Sequence, residues 1–185
     1  MTVLVAYASR HRSTLEIAER IAERLRQRGE HVDLCHVDDV TDATVYQGIV
    51  VGSAVYFSSW MKEAKAFVRT HQSALEERPV WLFSSGPVGD AVLPDPKELT
   101  TLSAAIHPRD HRVFTGAIDP TKLSFRERLA VKAVKAPTGD FRDWAEIDAW
   151  ADSIAAELAD AQGPIEGLTP GGPQRRVGAL SKPLG

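Results

Sequence analysis

Residues 3–25, with the sequence VLVAYASRHRSTLEIAERIAERL, decide the fold of this chain. The apolar run from Val3 to Ala8 predicts a β-strand. The polar loop 9–14 follows that strand and leads into an amphipathic helix. A strand, a tight loop and a helix N-terminus together form an anion site, because the first N–H groups of a helix lack partners and the helix dipole adds positive charge.

The loop between this strand and this helix carries side chains that suit a phosphate group. It contains the candidate contacts Ser9, Arg10, His11, Arg12, Ser13 and Thr14. The hydroxyl groups would donate hydrogen bonds to phosphate oxygens and the arginines would supply charge, while the histidine is either a further contact or a surface residue. The alternative is an ordinary turn in which a serine or threonine caps the helix, and this stretch alone leaves both interpretations open.

Strand and helix patterns alternate along the rest of the chain. After the first helix, which we expect to stop at Gly29, strands are predicted near 32–37, 48–55, 79–83 and 112–118, and helices near 60–71, 97–106 and 144–158. The unbroken apolar run 48–55 is typical of a central parallel strand that is buried on both faces. The alternation predicts an α/β fold with a doubly wound, five-stranded parallel sheet and helices on both faces.

Composition excludes several classes of protein. The chain has 185 residues, 43% of them hydrophobic, and a net charge of −3, so we expect one soluble domain that does not bind nucleic acid. Cys35 is the single cysteine, which excludes an internal disulfide and favours a cytoplasmic protein. His107 and His111 flank Pro108, which would break a helix that could align them on a metal, so no metal site is expected.

Two further loops follow predicted strands at the edge of the sheet where doubly wound folds bind ligands. The candidate contacts in these loops are Ser53, Ala54, Val55, Tyr56 and Trp60, then Ser84, Ser85, Gly86, Pro87, Val88 and Gly89. The aromatic residues, including Phe57, either stack on a flat ring or cap the sheet edge. Because the glycine patterns of dinucleotide and triphosphate sites are absent from the sequence, a mononucleotide with a terminal phosphate fits best.

These three loops resemble those of the flavodoxin superfamily, in which loops of the kind seen at 9–14, 52–60 and 84–89 hold flavin mononucleotide (FMN). The likeness covers residues 2–160 and implies the strand order 2-1-3-4-5. Gly116-Ala-Ile, the basic stretch 122–136 and Asp140-Phe-Arg-Asp-Trp144 are similar to the menaquinone-dependent protoporphyrinogen dehydrogenase group. That resemblance implies noncovalent FMN that passes electrons from a reduced substrate to a quinone.

The chain departs from this family at one position of the first loop. Arg12 stands where the family's phosphate loop usually has a glycine. If the position requires a positive φ, its side chain could crowd the loop. Alternatively, its guanidinium group could pair with the phosphate. The departure leaves open whether the chain has kept its cofactor.

Function and organisation follow from the same resemblance. We expect an FMN domain over 1–161 with a basic insertion at 119–142, and a Gly- and Pro-rich tail at 162–185. Cations of the insertion, among them Lys122, Arg126 and Arg128, would attract an anionic substrate or a membrane surface, or would form a solvated helix face. The expected protein is a flavin-dependent oxidoreductase without a catalytic side chain; the alternatives are an electron carrier between partner proteins and a module that has lost FMN.

Overall fold

The computed structural model describes residues 2–10, 12–56, 59–86, 97–118, 121 and 138–162. The strands are β1 Thr2–Ala8, β2 His31–His36, β3 Gly48–Tyr56, β4 Ser59–Trp60, β5 Val80–Ser85, β6 Asp110–Phe114, β7 Ala117–Ile118 and β8 Gly139–Asp140. The helices are α1 Ser13–Gln27, α2 Lys62–Thr70, α3 Gln72–Glu76, α4 Lys97–Ile106 and α5 Trp144–Gln162, with a short 3₁₀ turn at Val37–Asp39.

The main sheet has the order β2-β1-β3-β5-β6, and these strands are all parallel. The two-residue β4 pairs antiparallel with the end of β3 and lies off this path. Counted without β4, the strands follow the predicted order 2-1-3-4-5. The predicted fold class, a doubly wound parallel sheet of the flavodoxin type, is therefore confirmed, although the β3–β4 hairpin was not predicted.

The helices lie on both faces of the sheet and cover two separate cores. On one face α1 and α5 pack against residues such as Val3, Val5 and Val50. On the other face α2, α3 and α4 pack against residues such as Leu4 and Ile49. Successive strand residues point to opposite faces, which explains why the central strands are apolar without interruption.

Gly52 makes room for an aromatic ring at the centre of the sheet. A Cβ atom at this position would lie 2.0 Å from the ring of its neighbour Phe83. Phe83 in turn contacts Phe114 and Trp150, with ring centroids 6.1 and 6.2 Å away. The missing side chain of Gly52 therefore lets α5 dock on the sheet through Trp150, as the tryptophans of this helix predict.

The predicted fifth strand at 112–118 is wrong in its extent, because the structure divides it. Strand β6 ends at Phe114, whose carbonyl accepts a hydrogen bond of 3.0 Å from the amide of Gly86. Strand β7 then leaves the main sheet and pairs antiparallel with β8. The β7–β8 ribbon forms the stem of the predicted insertion at 119–142, of which residues 119–120 and 122–137 lie outside the described residues. The predicted tail 162–185 also lies outside them, except Gln162, which is the last residue of α5.

Candidate functional site

Arg12 provides no side-chain cap for the N-terminus of α1. The residue before the helix is Arg12, and its side chain accepts no hydrogen bond from a first-turn amide. The alternative of a Ser or Thr cap is therefore wrong. Because the first N–H groups of a helix have no partner within it, this helix end presents donors and positive dipole charge to the loop.

Arg12 adopts a backbone conformation that glycine adopts more readily. Its φ is 62° and its ψ is −24°, in the left-handed region. Among described residues other than glycine, a positive φ occurs also at His107. The side chain of Arg12 is 61% exposed and points to Glu16, with Nε 3.5 Å from the carboxylate. The arginine thus preserves the turn expected of the family's glycine, and it does so without filling the loop.

Ser13 and Thr14 hold different places in the first turn of α1. The Oγ of Ser13 accepts a hydrogen bond of 3.0 Å from the amide of Ala117, which leaves its own hydroxyl hydrogen for another acceptor. Thr14 is buried. Ser9 is half-buried and Arg10 is exposed at the end of β1. Ser13 therefore joins the helix end to the strand that begins the insertion.

The second loop has a buried part and an exposed part. Ser53 is fully buried, and its Oγ donates to Ala54 O (2.9 Å) and accepts from the Met61 amide (3.0 Å). Trp60 is buried as well, whereas Tyr56 is 37% exposed. Ser53 and Trp60 are thus buried supports of the second loop. Of these three side chains, Tyr56 is the one at the surface.

The third loop starts later than the sequence indicates, because Ser84 and Ser85 are still part of β5 and are buried. The Oγ of Ser84 accepts a hydrogen bond of 2.8 Å from Trp60 Nε1 and lies 2.9 Å from His111 Nε2. This network ties the second loop to β5 and β6. Pro87, Val88 and Gly89 lie outside the described residues, as do His11 and Phe57.

The three loops come together at one edge of the sheet. The guanidinium carbon of Arg10 lies 5.7 Å from the ring centroid of Tyr56 and joins the first loop to the second. A Cβ atom at Gly116 would lie 3.5 Å from Ser13 Oγ and 3.6 Å from Gly86, which joins the first loop to the third. The structure therefore brings the described parts of the three loops to one edge of the sheet, where the N-terminus of α1 also lies.

A group of charged residues lies beside this helix end and was not predicted as part of the site. Arg142 Nη1 lies 2.6 Å from Glu16, and Arg142 Nη2 lies 2.6 Å from Asp140. The hydrogen bond between Arg142 and Asp140 raises the pKa of the guanidinium and lowers that of the carboxyl group. The sequence marks 140–144 as a family feature, but the pairing of Arg142 with Glu16 spans 126 positions and no local pattern indicates it.

His107, His111 and Cys35 lie outside the three loops. His107 is exposed, whereas His111 lies beside Ser84, so the two histidines are in different environments. Cys35 lies on β2, and burial raises the pKa of its thiol. Within the ranges that the structure describes, no group of three or more His, Cys, Asp or Glu residues is arranged to hold a metal ion.

Comparison with known proteins decides the family. A sequence model of the family described as "Flavodoxin domain" matches residues 4–144. The chain belongs to the flavodoxin-domain family. The match runs from β1 to the first residue of α5 and so contains all three loops and the stem of the insertion. The chain is accordingly a flavodoxin-like redox protein.

Three relatives show how this flavodoxin domain compares with others. It is 22% identical to the protoporphyrinogen IX dehydrogenase [quinone] of Escherichia coli strain K12, over 84% of this chain and 95% of that one. An archaeal flavodoxin has the same fold, with a TM-score of 0.60 and 16% identity over 86% of this chain and 99% of its own. The rubredoxin oxygen:oxidoreductase of Desulfovibrio gigas also gives 0.60 at 16% identity, over 88% of this chain but 37% of its own.

Among the described residues of this flavodoxin domain, no helix is both long and apolar enough to cross a membrane.

Proposed function

We propose that the protein binds FMN noncovalently at the edge formed by the three loops, and that it is an oxidoreductase of the protoporphyrinogen and quinone-linked type. Similarity to the E. coli protoporphyrinogen IX dehydrogenase [quinone] along most of both chains supports this class. When bound, FMN would supply the redox chemistry by accepting electrons from the reduced substrate and delivering them to a quinone. The residues of the chain bind and orient the groups that react.

The observation that carries the proposal is the N-terminus of α1, for which Arg12 provides no side-chain cap. Arg12 keeps the left-handed turn there, and a Cβ atom at Gly116 would lie 3.5 Å from Ser13 Oγ and 3.6 Å from Gly86. A phosphate monoester carries negative charge and accepts several hydrogen bonds, which the first-turn amides, the Ser13 hydroxyl and the arginines offer. The residues present therefore fit the phosphate end of FMN.

The aromatic and polar residues of the other two loops fit the remainder of the cofactor. The half-exposed ring of Tyr56 would flank the flavin ring, and the backbone from Ser53 to Tyr56 and around Gly86 would border it. Ser53, Trp60 and Ser84 are buried and bonded to one another's segments, so they would hold these loops in place. This arrangement needs no side chain as a general acid or base, and we assign none.

The basic insertion would select the substrate. Its stem, the β7–β8 ribbon, begins beside Ser13 through the hydrogen bond from Ala117, so the insertion leaves the domain next to the proposed phosphate site. Cations at Lys122, Arg126 and Arg128 would attract the propionate groups of a porphyrinogen, or the anionic surface of a membrane that contains the quinone. A cytoplasmic protein with peripheral contact to the membrane through 122–136 follows from this proposal.

Two half-reactions test the proposal on the FMN-loaded full chain. Under anaerobic conditions, addition of protoporphyrinogen should bleach the visible flavin absorption, and subsequent addition of a menaquinone analogue should restore it. Flavin that is bleached by a reduced partner protein but not by protoporphyrinogen would contradict the dehydrogenase function and would favour the electron carrier.

A deletion tests the part of the insertion. Removing 119–136 while keeping the strands of the ribbon should abolish turnover of protoporphyrinogen and leave FMN binding unchanged. A matched variant with Lys122, Arg126 and Arg128 changed to Gln should retain the fold and show a raised KM. Unchanged kinetics in both variants would remove the insertion from substrate binding.

A further inference from the structure

We propose that Arg142 is a positioning residue that keeps the carboxylate of Glu16 from opposing a phosphate at the N-terminus of α1. Arg142 would thereby make the site prefer FMN to riboflavin, which lacks the phosphate. The inference rests on the proposed function, since it concerns the cofactor of that site. It assigns a role in cofactor selectivity to a residue outside the three loops.

Glu16 places a negative charge where the site should attract a negative ligand. It lies in the first turn of α1, and its amide donates to the carbonyl of Arg12 at 2.8 Å. A carboxylate at a helix N-terminus interacts favourably with the helix dipole. An unpaired Glu16 would therefore compete with a bound phosphate for the positive end of the helix and would repel it.

Arg142 is built to neutralise this carboxylate. Its side chain is only 7% exposed, and Nη1 donates to Glu16 Oε2 at 2.6 Å. Its Nε and Nη2 both donate to Asp140, at 2.8 and 2.6 Å. The guanidinium carbon also lies 4.5 Å from the ring centroid of Trp144. These contacts fix Arg142 from three sides, so its charge remains beside Glu16.

Arg12 is not equivalent to Arg142 in this respect. Arg12 is 61% exposed, and the distance between its Nε and Glu16 is 3.5 Å, which is too long for a strong charge-assisted hydrogen bond. Exposed ion pairs of this kind are weak because water screens them. With Glu16 already paired to Arg142, the charges of Arg12 and Arg10 are left for the phosphate.

The selectivity for FMN over riboflavin tests this role. Dissociation constants for both flavins are measured by fluorescence titration for the wild type and for Arg142→Ala, Glu16→Gln and the double variant. Arg142→Ala should weaken FMN binding by about tenfold and change riboflavin binding by less than about twofold, because only the phosphate meets the released charge of Glu16. In the double variant Glu16 is neutral and Asp140 is the carboxylate that has lost its partner, so the preference for FMN should recover most of the way to the wild-type value.

Two variants serve as controls. Arg20→Ala removes another arginine–carboxylate pair of α1, that with Asp148 at 2.6 Å, and should change neither dissociation constant. Arg142→Lys keeps a cation beside Glu16 and should retain most of the preference for FMN. If Arg142→Ala does not fold, as judged by circular dichroism and melting temperature, Arg142→Gln is compared with Arg142→Lys in its place.

The outcomes separate this inference from the proposed function. A wild type that binds neither flavin overturns the proposed function and this role together. A wild type that prefers FMN, combined with an unchanged preference in Arg142→Ala, overturns only the role of Arg142. The role of Arg142 is also overturned if Arg142→Ala loses the preference for FMN and adding Glu16→Gln does not restore it, because a purely structural defect would then explain the loss.

Discussion

Helix α1 contacts arginine–carboxylate pairs at two places, and these two places differ in construction. Along its side, Arg20, Arg24 and Arg28 recur every four residues and pair with Asp148 and Asp152 of α5. At its N-terminus, the buried Arg142, two residues after the end of β8, pairs with Glu16 next to the strained turn at Arg12.

The comparison teaches that one kind of ion pair serves two purposes. The pairs along the side follow helical periodicity on two parallel helices and are partly exposed, with Arg20 at 39%, so each contributes little to stability. The pairs at the N-terminus combine a buried cation, a positive φ and three converging loops. Strain and buried charge are concentrated where a ligand is expected to bind.

The largest effect is expected from a substitution in the sheet, on the face that α1 and α5 cover. Gly52→Ala would bring a Cβ atom to 2.0 Å from the ring of Phe83 and force the sheet and α5 apart. Overpacking of this kind costs about 1–3 kcal/mol, and thermal melting should show a corresponding loss. Combining Gly52→Ala with Phe83→Leu should recover part of the stability. If the losses in melting temperature of the two single variants simply add in the double variant, the crowding of the Phe83 ring at position 52 is contradicted.

A smaller and opposite effect is expected at the N-terminus of α1. Arg12→Gly should relieve the cost of a left-handed side-chain residue, about 1 kcal/mol, and should raise the melting temperature by about 2–4 °C. Arg12→Ala is the control, because it removes the same charge and keeps the unfavourable φ. If the two variants melt at the same temperature, the turn is not strained.

The smallest effect is expected along the side of α1. Asp152→Asn removes the partner of Arg24 and Arg28 and should lower the free energy of unfolding only slightly, because water screens ion pairs of this kind. Flavin binding should not change, since the pair lies far along the helix from its N-terminus. Chemical denaturation measures the first quantity and fluorescence titration the second; a change in FMN affinity would contradict the separation of the two places.

The pH dependence of stability sharpens the same contrast. Hydrogen bonds from Arg20 and Arg28 hold the pKa of Asp148 and Asp152 below the ordinary value. A depressed pKa stabilises the folded chain above about pH 4, the unfolded value, and this stability is lost as the pH falls through the lowered folded values. Melting temperatures between pH 6 and pH 2 should fall more steeply for the wild type than for Asp148→Asn/Asp152→Asn. Equal slopes would show that these pairs do not couple to folding.

The five parallel strands of the main sheet could be predicted because local patterns indicate them. The apolar run 48–55 and the helical spacing of Leu15 to Leu25 follow from which faces are buried, and the flavodoxin-like strand order follows from the resemblance of the loops. The break between β6 and β7 could not be predicted, since it depends on the approach of Gly116 to Gly86 and Ser13, which are distant in the chain.

The site could be predicted only as a set of loops. The sequence indicates which residues follow each strand, but it does not indicate that Ser53 and Trp60 are buried supports while Tyr56 is exposed. It also does not indicate that Arg12 keeps a positive φ or that Arg142 meets Glu16. The contacts behind these features join segments that are separate in the chain, from Trp60 with Ser84, 24 positions apart, to Arg142 with Glu16, 126 positions apart.

Binding of FMN to the purified full chain tests the proposed cofactor site most directly. The protein is stripped of any flavin and titrated with FMN and, separately, with riboflavin, and bound flavin is followed by its visible absorption and fluorescence. We predict one FMN per chain and weaker binding of riboflavin, because the N-terminus of α1 holds the phosphate. A chain that remains colourless and takes up no added FMN would contradict the site and would show that this flavodoxin domain has lost its cofactor.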